Sequence, residues 1–192
     1  DYDSELRFSG QALPTLFSQD GRKVIYMNTF SKSLVPSLRI SYMVLPEALM
    51  ELYESRMSFY SCSVSSFEQY TLAKFISQGY FERHINRLRR HYRHRKELME
   101  EALAASPLAS VCDMRRCSVG THMVLRMDTR LSDGEIRRRA GDAGVHLALM
   151  SDYCLVPSIA YSGQVVLNFA SVEPEQIPMA VRQLERIFSG DI

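Results

Sequence analysis

Thr29-Phe30-Ser31-Lys32-Ser33-Leu34-Val35-Pro36-Ser37-Leu38-Arg39 is the most informative segment of this chain. An apolar run, Val24 to Met27, leads into it, and a second, Ile40 to Leu45, leads out. Two β-prone runs joined by a polar, proline-containing connection predict strand, loop, strand. Binding groups concentrate on such loops, because rigid flanks hold a mobile chain in one geometry. A lysine there has a specific chemical use. Beside apolar walls or a second cation its amine loses a proton and can attack a carbonyl to form a Schiff base. Arg39, seven positions after Lys32, can fork onto a phosphate. Hydroxyls and loop N–H groups can complete a phosphate cradle. On residue types alone the same loop also reads as a solvated surface turn.

Beyond the local residue types there is a resemblance. Asp1-Tyr2-Asp3-Ser4-Glu5, Thr29 to Leu34 and Leu38-Arg39-Ile40-Ser41-Tyr42 together resemble the fold-type I aminotransferases that use pyridoxal 5'-phosphate. Gly79-Tyr80-Phe81-Glu82-Arg83-His84-Ile85, with Leu88-Arg89-Arg90 and Tyr92, is similar to the aminotransferase-like effector domain of MocR-type regulators of the GntR superfamily. Gly120 to Arg126 and Leu167 to Ala170 extend the likeness over most of the chain.

The resemblance implies an α/β fold, a partial fold-type I transferase. A remnant of the large-domain sheet would be followed by a long bridging helix and a small C-terminal α/β domain. Residues 1–95 would be the second half of the large cofactor-binding domain, and 96–192 the small domain. It implies that Lys32 holds pyridoxal 5'-phosphate as a Schiff base and that Arg39 grips the phosphate. Thr29 would add a hydroxyl to the same phosphate, with Ser31 assisting. Tyr2 would bond the 3'-oxygen of the ring. In that family an Asp two residues before this Tyr, a position that would fall one residue before Asp1, pairs with the pyridine nitrogen and keeps the ring an electron sink. Asp1 matches the neighbouring acidic position. As plain residue types, Asp1 and Tyr2 also read simply as chain-terminal residues.

The opening Asp1-Tyr2-Asp3, without Met, reads as the second half of a longer fold. The preceding part would hold the rest of the cofactor pocket and, in a MocR-type regulator, an N-terminal winged helix that binds DNA.

Composition narrows the classes further. The 192 residues are 46% hydrophobic and 23% charged with net charge +1, an ordinary globular profile with no global pull toward nucleic acid. No apolar run reaches the length of about 20 residues that a membrane helix needs. Cys62, Cys112, Cys117 and Cys154 form no C-x-x-C pair and have no His at metal spacing. They read as small apolar fillers in a reducing cytoplasm, not as metal ligands.

Along the chain, Gly10 to Arg22 reads as a surface loop with an Asp20-Gly21 turn, and Lys23 to Phe30 as a strand. Pro46 opens a helix at Glu47. Ser58 to Ser66 is a break, and Glu68 to Ser77 a helix closed by Gly79. Phe81, Ile85, Leu88, Tyr92, Met99 and Leu103 mark one face of a long helix. Its other faces hold Arg83, Arg87, Arg89, Arg90, Arg93, Arg95 and Lys96, which read as solvated cations in preference to a nucleic-acid surface. Strands are predicted near Ser110 to Cys112, at Thr121 to Met127, Val145 to Met150 and Gln164 to Phe169. A helix capped by Ser132 and Glu135 intervenes, and Glu173 to Phe188 closes the chain with Ile177, Val181, Leu184 and Ile187 or Phe188 on one face.

One departure from the family matters. Amino-acid aminotransferases of this fold hold the substrate carboxylate with a late arginine, and neither Gln164 to Phe169 nor Met150-Ser151 offers one. Either the ligand is not a simple amino acid, or the arginine lies elsewhere, or Asn168 and Tyr153 substitute. The leading expectation is a ligand-sensing domain of a bacterial transcription regulator. It would bind pyridoxal 5'-phosphate and a small amine or amino-acid effector, form a homodimer, and reach DNA only through the winged helix. The alternative is a class I/II aminotransferase, in which Lys32 also moves a proton at the substrate α-carbon.

Overall fold

A computed structural model describes residues 3–8, 13–114, 120–156 and 158–190. Asp1, Tyr2 and Cys117, three of the residues singled out above, lie outside them. The chain divides into two compact units, Asp1–Arg89 and Arg90–Ile192.

In the first unit, helix α1 (Leu16–Gln19) is a single turn where the sequence predicts loop. Thr15 nucleates it by accepting the Ser18 N–H at 3.1 Å. Strands β1 (Tyr26–Thr29) and β2 (Ser41–Val44) form an antiparallel hairpin in which Tyr26 faces Val44 and Thr29 faces Ser41. Strand β1 is shorter than the predicted Lys23 to Phe30, and β2 is shorter than the apolar run Ile40 to Leu45. After Pro46 a 3-10 turn, Glu47–Leu49, continues into α2 (Met50–Met57). Helix α3 (Ser66–Ser77) starts two residues earlier than predicted. Ser65 accepts the Glu68 N–H while Glu68 accepts the Ser65 N–H, a full capping box. Gly79, at φ +72, ends it in the left-handed conformation that glycine adopts without a Cβ penalty.

Helix α4 (Tyr80–Ala104) has neither Gly nor Pro in its 25 residues. Its predicted stripe is inward: Ile85, Met99 and Leu103 are buried, and Phe81, Leu88 and Tyr92 half-buried. Arg95 departs from the predicted solvated face. It is 7% exposed and donates to the Ala170 carbonyl and to the Glu173 carboxylate.

The second unit is built on a four-stranded, wholly antiparallel sheet: β3 (Cys112–Met114), β4 (Met123–Met127), β5 (Ala148–Leu149) and β6 (Gln164–Leu167), in the order β3-β4-β6-β5. Leu125 faces Val165, and Leu149 faces the same Val165. Side chains alternate along a strand, so these three share a face, and all three are buried. Helix α5 (Asp133–Asp142) contributes Ile136 and Ala140 to the core. Helix α6 (Ile177–Ile187) contributes Ile177, Val181, Leu184 and Ile187, with Phe188 just beyond it, as its periodicity predicts. Strand β5 is shorter than the predicted Val145 to Met150. Asp152 Oδ2 accepts the Leu149 N–H at 2.8 Å and turns the chain into a 3-10 segment, Met150–Tyr153. Ser132 caps α5 by accepting the Glu135 N–H, but Glu135 turns its own carboxylate to Arg138 and Arg139. Among the described residues, no helix is long and apolar enough to cross a membrane. Among them too, no group of three or more His, Cys, Asp or Glu could hold a metal ion.

Candidate cofactor loop and side-chain cavity

Lys32 sits in a turn of three residues, Ser31 to Ser33, directly after β1. The hairpin fixes the turn at its base. Phe30 N–H donates to the Ile40 carbonyl at 3.0 Å, and the Thr29 hydroxyl donates to the same oxygen at 3.2 Å. Leu34 N–H reaches back to the Phe30 carbonyl at 2.8 Å, which closes the turn around Lys32. The chain then passes through a 3-10 turn, Pro36–Leu38, to Arg39.

Of the sequence-predicted residues, the structure brings Thr29 and Ser31 together, with their hydroxyls 3.0 Å apart. The Ser31 N–H also donates to Thr29 Oγ1 at 3.3 Å. Lys32 is half-buried. Arg39 is exposed, next to the Ile40 whose carbonyl closes the hairpin, and it stands at φ +51. Apart from glycines, it is the one described residue with positive φ. A non-glycine residue in that region carries a local strain cost that its surroundings must over-determine. Ser33 is 1% exposed, and its hydroxyl has no hydrogen-bond partner among the described residues. A buried, unmet hydroxyl beside a lysine is a group that an anion would satisfy. The loop therefore has a half-buried amine, a hydroxyl pair, an unmet buried hydroxyl and a guanidinium within eleven residues. That donor set fits a phosphorylated aldehyde.

Sequence reasoning passed over the layer that holds Thr29. Asn28 is 5% exposed. Its Oδ1 accepts the Thr29 N–H at 2.7 Å, and its Nδ2 donates to Glu5 Oε1 at 2.9 Å and to the Tyr26 hydroxyl at 3.1 Å. Arg89 Nε donates to the Glu5 carbonyl at 2.6 Å. The signal was available: an Asn at the end of an apolar run is out of place unless its amide is used. Burial pushes the Tyr26 phenol up, and the neighbouring Tyr42 adds to the shift. Phe30 stacks obliquely on Tyr42, with centroids 5.5 Å apart, and edge-on against Phe81 at 5.9 Å. This aromatic wall backs the turn.

In the second unit, Tyr153 and Asn168, the two residues offered above as substitutes for a carboxylate-binding arginine, line one cavity of about 560 Å³. His122, Val166 and Gln183 line it as well. Asn168 Oδ1 and Gln183 Oε1 are both buried with no partner among the described residues. A cavity of this size suits a small molecule.

Comparison with known proteins places the fold. Residues 4–184 match the family model "Aminotransferase class I and II". The HTH-type transcriptional regulator YhdI of Bacillus subtilis is 35% identical over 186 residues, which cover 96% of this chain and 39% of that protein. The probable rhizopine catabolism regulatory protein MocR of Rhizobium meliloti is 34% identical over 189 residues, 98% of this chain and 38% of that one. The chain thus spans about two-fifths of the curated relatives it matches. Among solved structures, LysN of Thermus thermophilus, an α-aminoadipate aminotransferase, is 27% identical with a TM-score of 0.80. The match covers 99% of this chain and 49% of LysN. A multiple-substrate aminotransferase of Thermococcus profundus gives a TM-score of 0.83 at 26% identity, over 100% of this chain and 47% of that enzyme. The mixed architecture is therefore a partial fold-type I aminotransferase domain, as the sequence predicts. The chain belongs to the aminotransferase class I and II family.

Proposed function

We propose that this chain is the ligand-sensing part of a bacterial transcription regulator, and that the intact protein holds pyridoxal 5'-phosphate through the Lys32 amine. The observation that carries the reading is the conjunction of two facts. The Lys32 turn carries the donor set described above, and the two curated relatives reported above, YhdI and MocR, are regulators matched over nearly the whole chain. When bound, the cofactor supplies an electrophilic carbonyl and an electron-withdrawing ring. The chain's own residues do the rest. Lys32 offers the nucleophilic amine. Arg39, with the hydroxyls of Thr29, Ser31 and Ser33, receives the phosphate. Asn28 fixes the Thr29 backbone. Tyr2 is assigned to the 3'-oxygen from the resemblance, and Asp1 to the acidic position next to the one that pairs with the ring nitrogen.

In this reading Asp1–Arg89 belongs to the large cofactor-binding domain and Arg90–Ile192 is the small domain. The effector is an amine or amino acid, small enough for the cavity lined by Tyr153 and Asn168. A sensor works by binding one conformation better than another, so turnover is not required. The intact protein is read as a cytoplasmic homodimer that contacts its operator through a winged helix. A second reading, a working aminotransferase, draws on the aromatic-amino-acid aminotransferase 1 of Thermococcus litoralis, 33% identical over 102 residues.

The test is absorption spectroscopy of the chain mixed with pyridoxal 5'-phosphate, beside Lys32→Ala, followed by borohydride reduction and peptide mass mapping. A near-visible band in the native chain alone, with the reduced adduct on Lys32, supports the assignment. The same band in Lys32→Ala overturns it. The reading frame upstream separates regulator from enzyme: a winged helix marks the first, and the remainder of the fold alone marks the second.

A further inference from the structure

Helix α4 has two opposed faces. Phe81, Ile85, Leu88 and Tyr92 form the inward one. At about 100° per residue, Arg83, Arg87, Arg90 and His94 fall within a sector of about 60° on the opposite side. All four are exposed. They span about 16 Å of helix axis, with successive rises of about 4.5 to 6 Å. Between Glu82 and Glu97 there is no acidic residue, against six Arg and one Lys, in a chain whose net charge is only +1.

Among the described residues, the charges on this face are not neutralised in the way they are on α5. On α5 each arginine meets a carboxylate: Arg137 meets Asp152, Arg138 meets Glu135 and Asp142, and Arg139 meets Glu135. On α4, Arg83 lies over the Tyr80 ring at 4.5 Å, and Arg87 shares a hydrogen bond of 3.2 Å with His84 Nδ1. These partners carry no negative charge, and Arg90 stands exposed beside them. These contacts hold Arg83 and Arg87 against their own helix and leave their charge unmatched.

We propose that the Arg83–Arg87–Arg90 face of α4 docks on the phosphate backbone of duplex DNA, without reading bases. The occupant follows from charge complementarity and spacing. The three arginines cover about 10 Å of helix axis. A DNA strand presents one phosphate per about 3.4 Å, about three over that length. The choice of DNA over other polyanions rests on the regulator reading above. The face would hold the effector domain against the duplex that a DNA-binding domain selects. Arginine suits the task because its planar fork engages phosphate oxygens bidentately.

The test titrates a fluorescein-labelled, random-sequence duplex with the 192-residue chain and follows anisotropy at about 50 to 200 mM salt. Three phosphate contacts give a log–log salt slope of about −2.7. The double variant Arg87→Ala, Arg90→Ala should reduce that slope by about 2, about one per arginine. Arg87→Lys with Arg90→Lys should largely keep it. Arg138→Ala with Arg182→Ala removes the same charge from other helices and should leave the slope in place. Absence of binding at the lowest salt overturns the proposal. So does an equal loss in the Arg138 and Arg182 control, or binding to heparin without binding to the duplex. An upstream frame lacking a winged helix would overturn the regulator reading and leave this titration unmoved, so the two failures are distinct.

Discussion

Arg95, buried on α4, is ion-paired with Glu173, which stands just before the 3-10 turn that opens α6. The two environments are unequal: the arginine side chain is 8% exposed and the glutamate 58%. The asymmetry ranks the consequences of removing each partner. Glu173→Ala leaves a buried guanidinium with the Ala170 carbonyl as its remaining acceptor, and should cost about 1–3 kcal/mol. Arg95→Met leaves only a carboxylate that water can reach, and should cost less. Urea denaturation of both variants checks the order, and the reverse order would show that the pair is not the controlling contact.

Asn28, in β1, is expected to be the most sensitive residue behind the Lys32 turn. Asn28→Ala removes the acceptor of the Thr29 N–H and the donor to Glu5, and should cost about 1–3 kcal/mol in chemical denaturation. Asn28→Asp places a second carboxylate against Glu5. Two such groups cannot both stay ionised at close range, so this variant should be less stable at neutral pH than at mildly acidic pH.

Helix α5 should make the second unit acid-sensitive. Hydrogen bonds from Arg138, then Arg139, hold the Glu135 carboxyl at about 2, against an ordinary 4.5. Asp152 is held low by the Leu149 N–H; burial opposes this, and Arg137 adds to the lowering. Burial pushes Asp133 up, but the Gly163 N–H and the Ser151 and Ser162 hydroxyls outweigh it and leave it low. Each folded value lies below the unfolded one. The stabilisation is therefore complete above the ordinary carboxylate range and drains away as pH falls, for Glu135 between 4.5 and about 2. Thermal unfolding at descending pH should show this loss, and Glu135→Gln should flatten it.

Gly163 and Gly134 should respond oppositely to alanine. Gly163 stands at φ +69, and an added Cβ would lie 3.2 Å from the Met127 carbonyl oxygen. Gly163→Ala should cost about 1–3 kcal/mol. Gly134, in the first turn of α5, has only Ser132 Oγ near an added Cβ, at 3.9 Å. Gly134→Ala should be stabilising by up to about 1 kcal/mol, since alanine loses less backbone freedom in a helix. Paired denaturation midpoints decide this.

The hairpin around Lys32, the long helix and the inward face of α6 were legible because each is written as a period or as punctuation. Arg95 was not, because a charge reads as solvent-facing. Its spacing nevertheless betrays it: it precedes buried Met99 by four residues and sits on the margin of the apolar stripe. The early start of α3 was also legible in principle, through Ser65 and Glu68. The shortness of β5 was not, since it is Asp152, beyond the strand, that takes the Leu149 N–H away from the ladder. Asn28 illustrates the same limit. Its importance comes from Glu5, 23 residues away, a contact that no local pattern encodes.

The Lys32 turn hangs from a ribbon of two strands, and both outer edges of that ribbon are open among the described residues. Ribbons of two strands are marginal in water, and each strand added to an edge stiffens them. The chemistry of the turn is thereby geared to an assembly variable. A β-strand added to β1 or β2 would stiffen the base from which the Thr29 and Ser31 hydroxyls are held together. Under the proposed function, cofactor occupancy would serve as a gauge of how completely the surrounding sheet has been built.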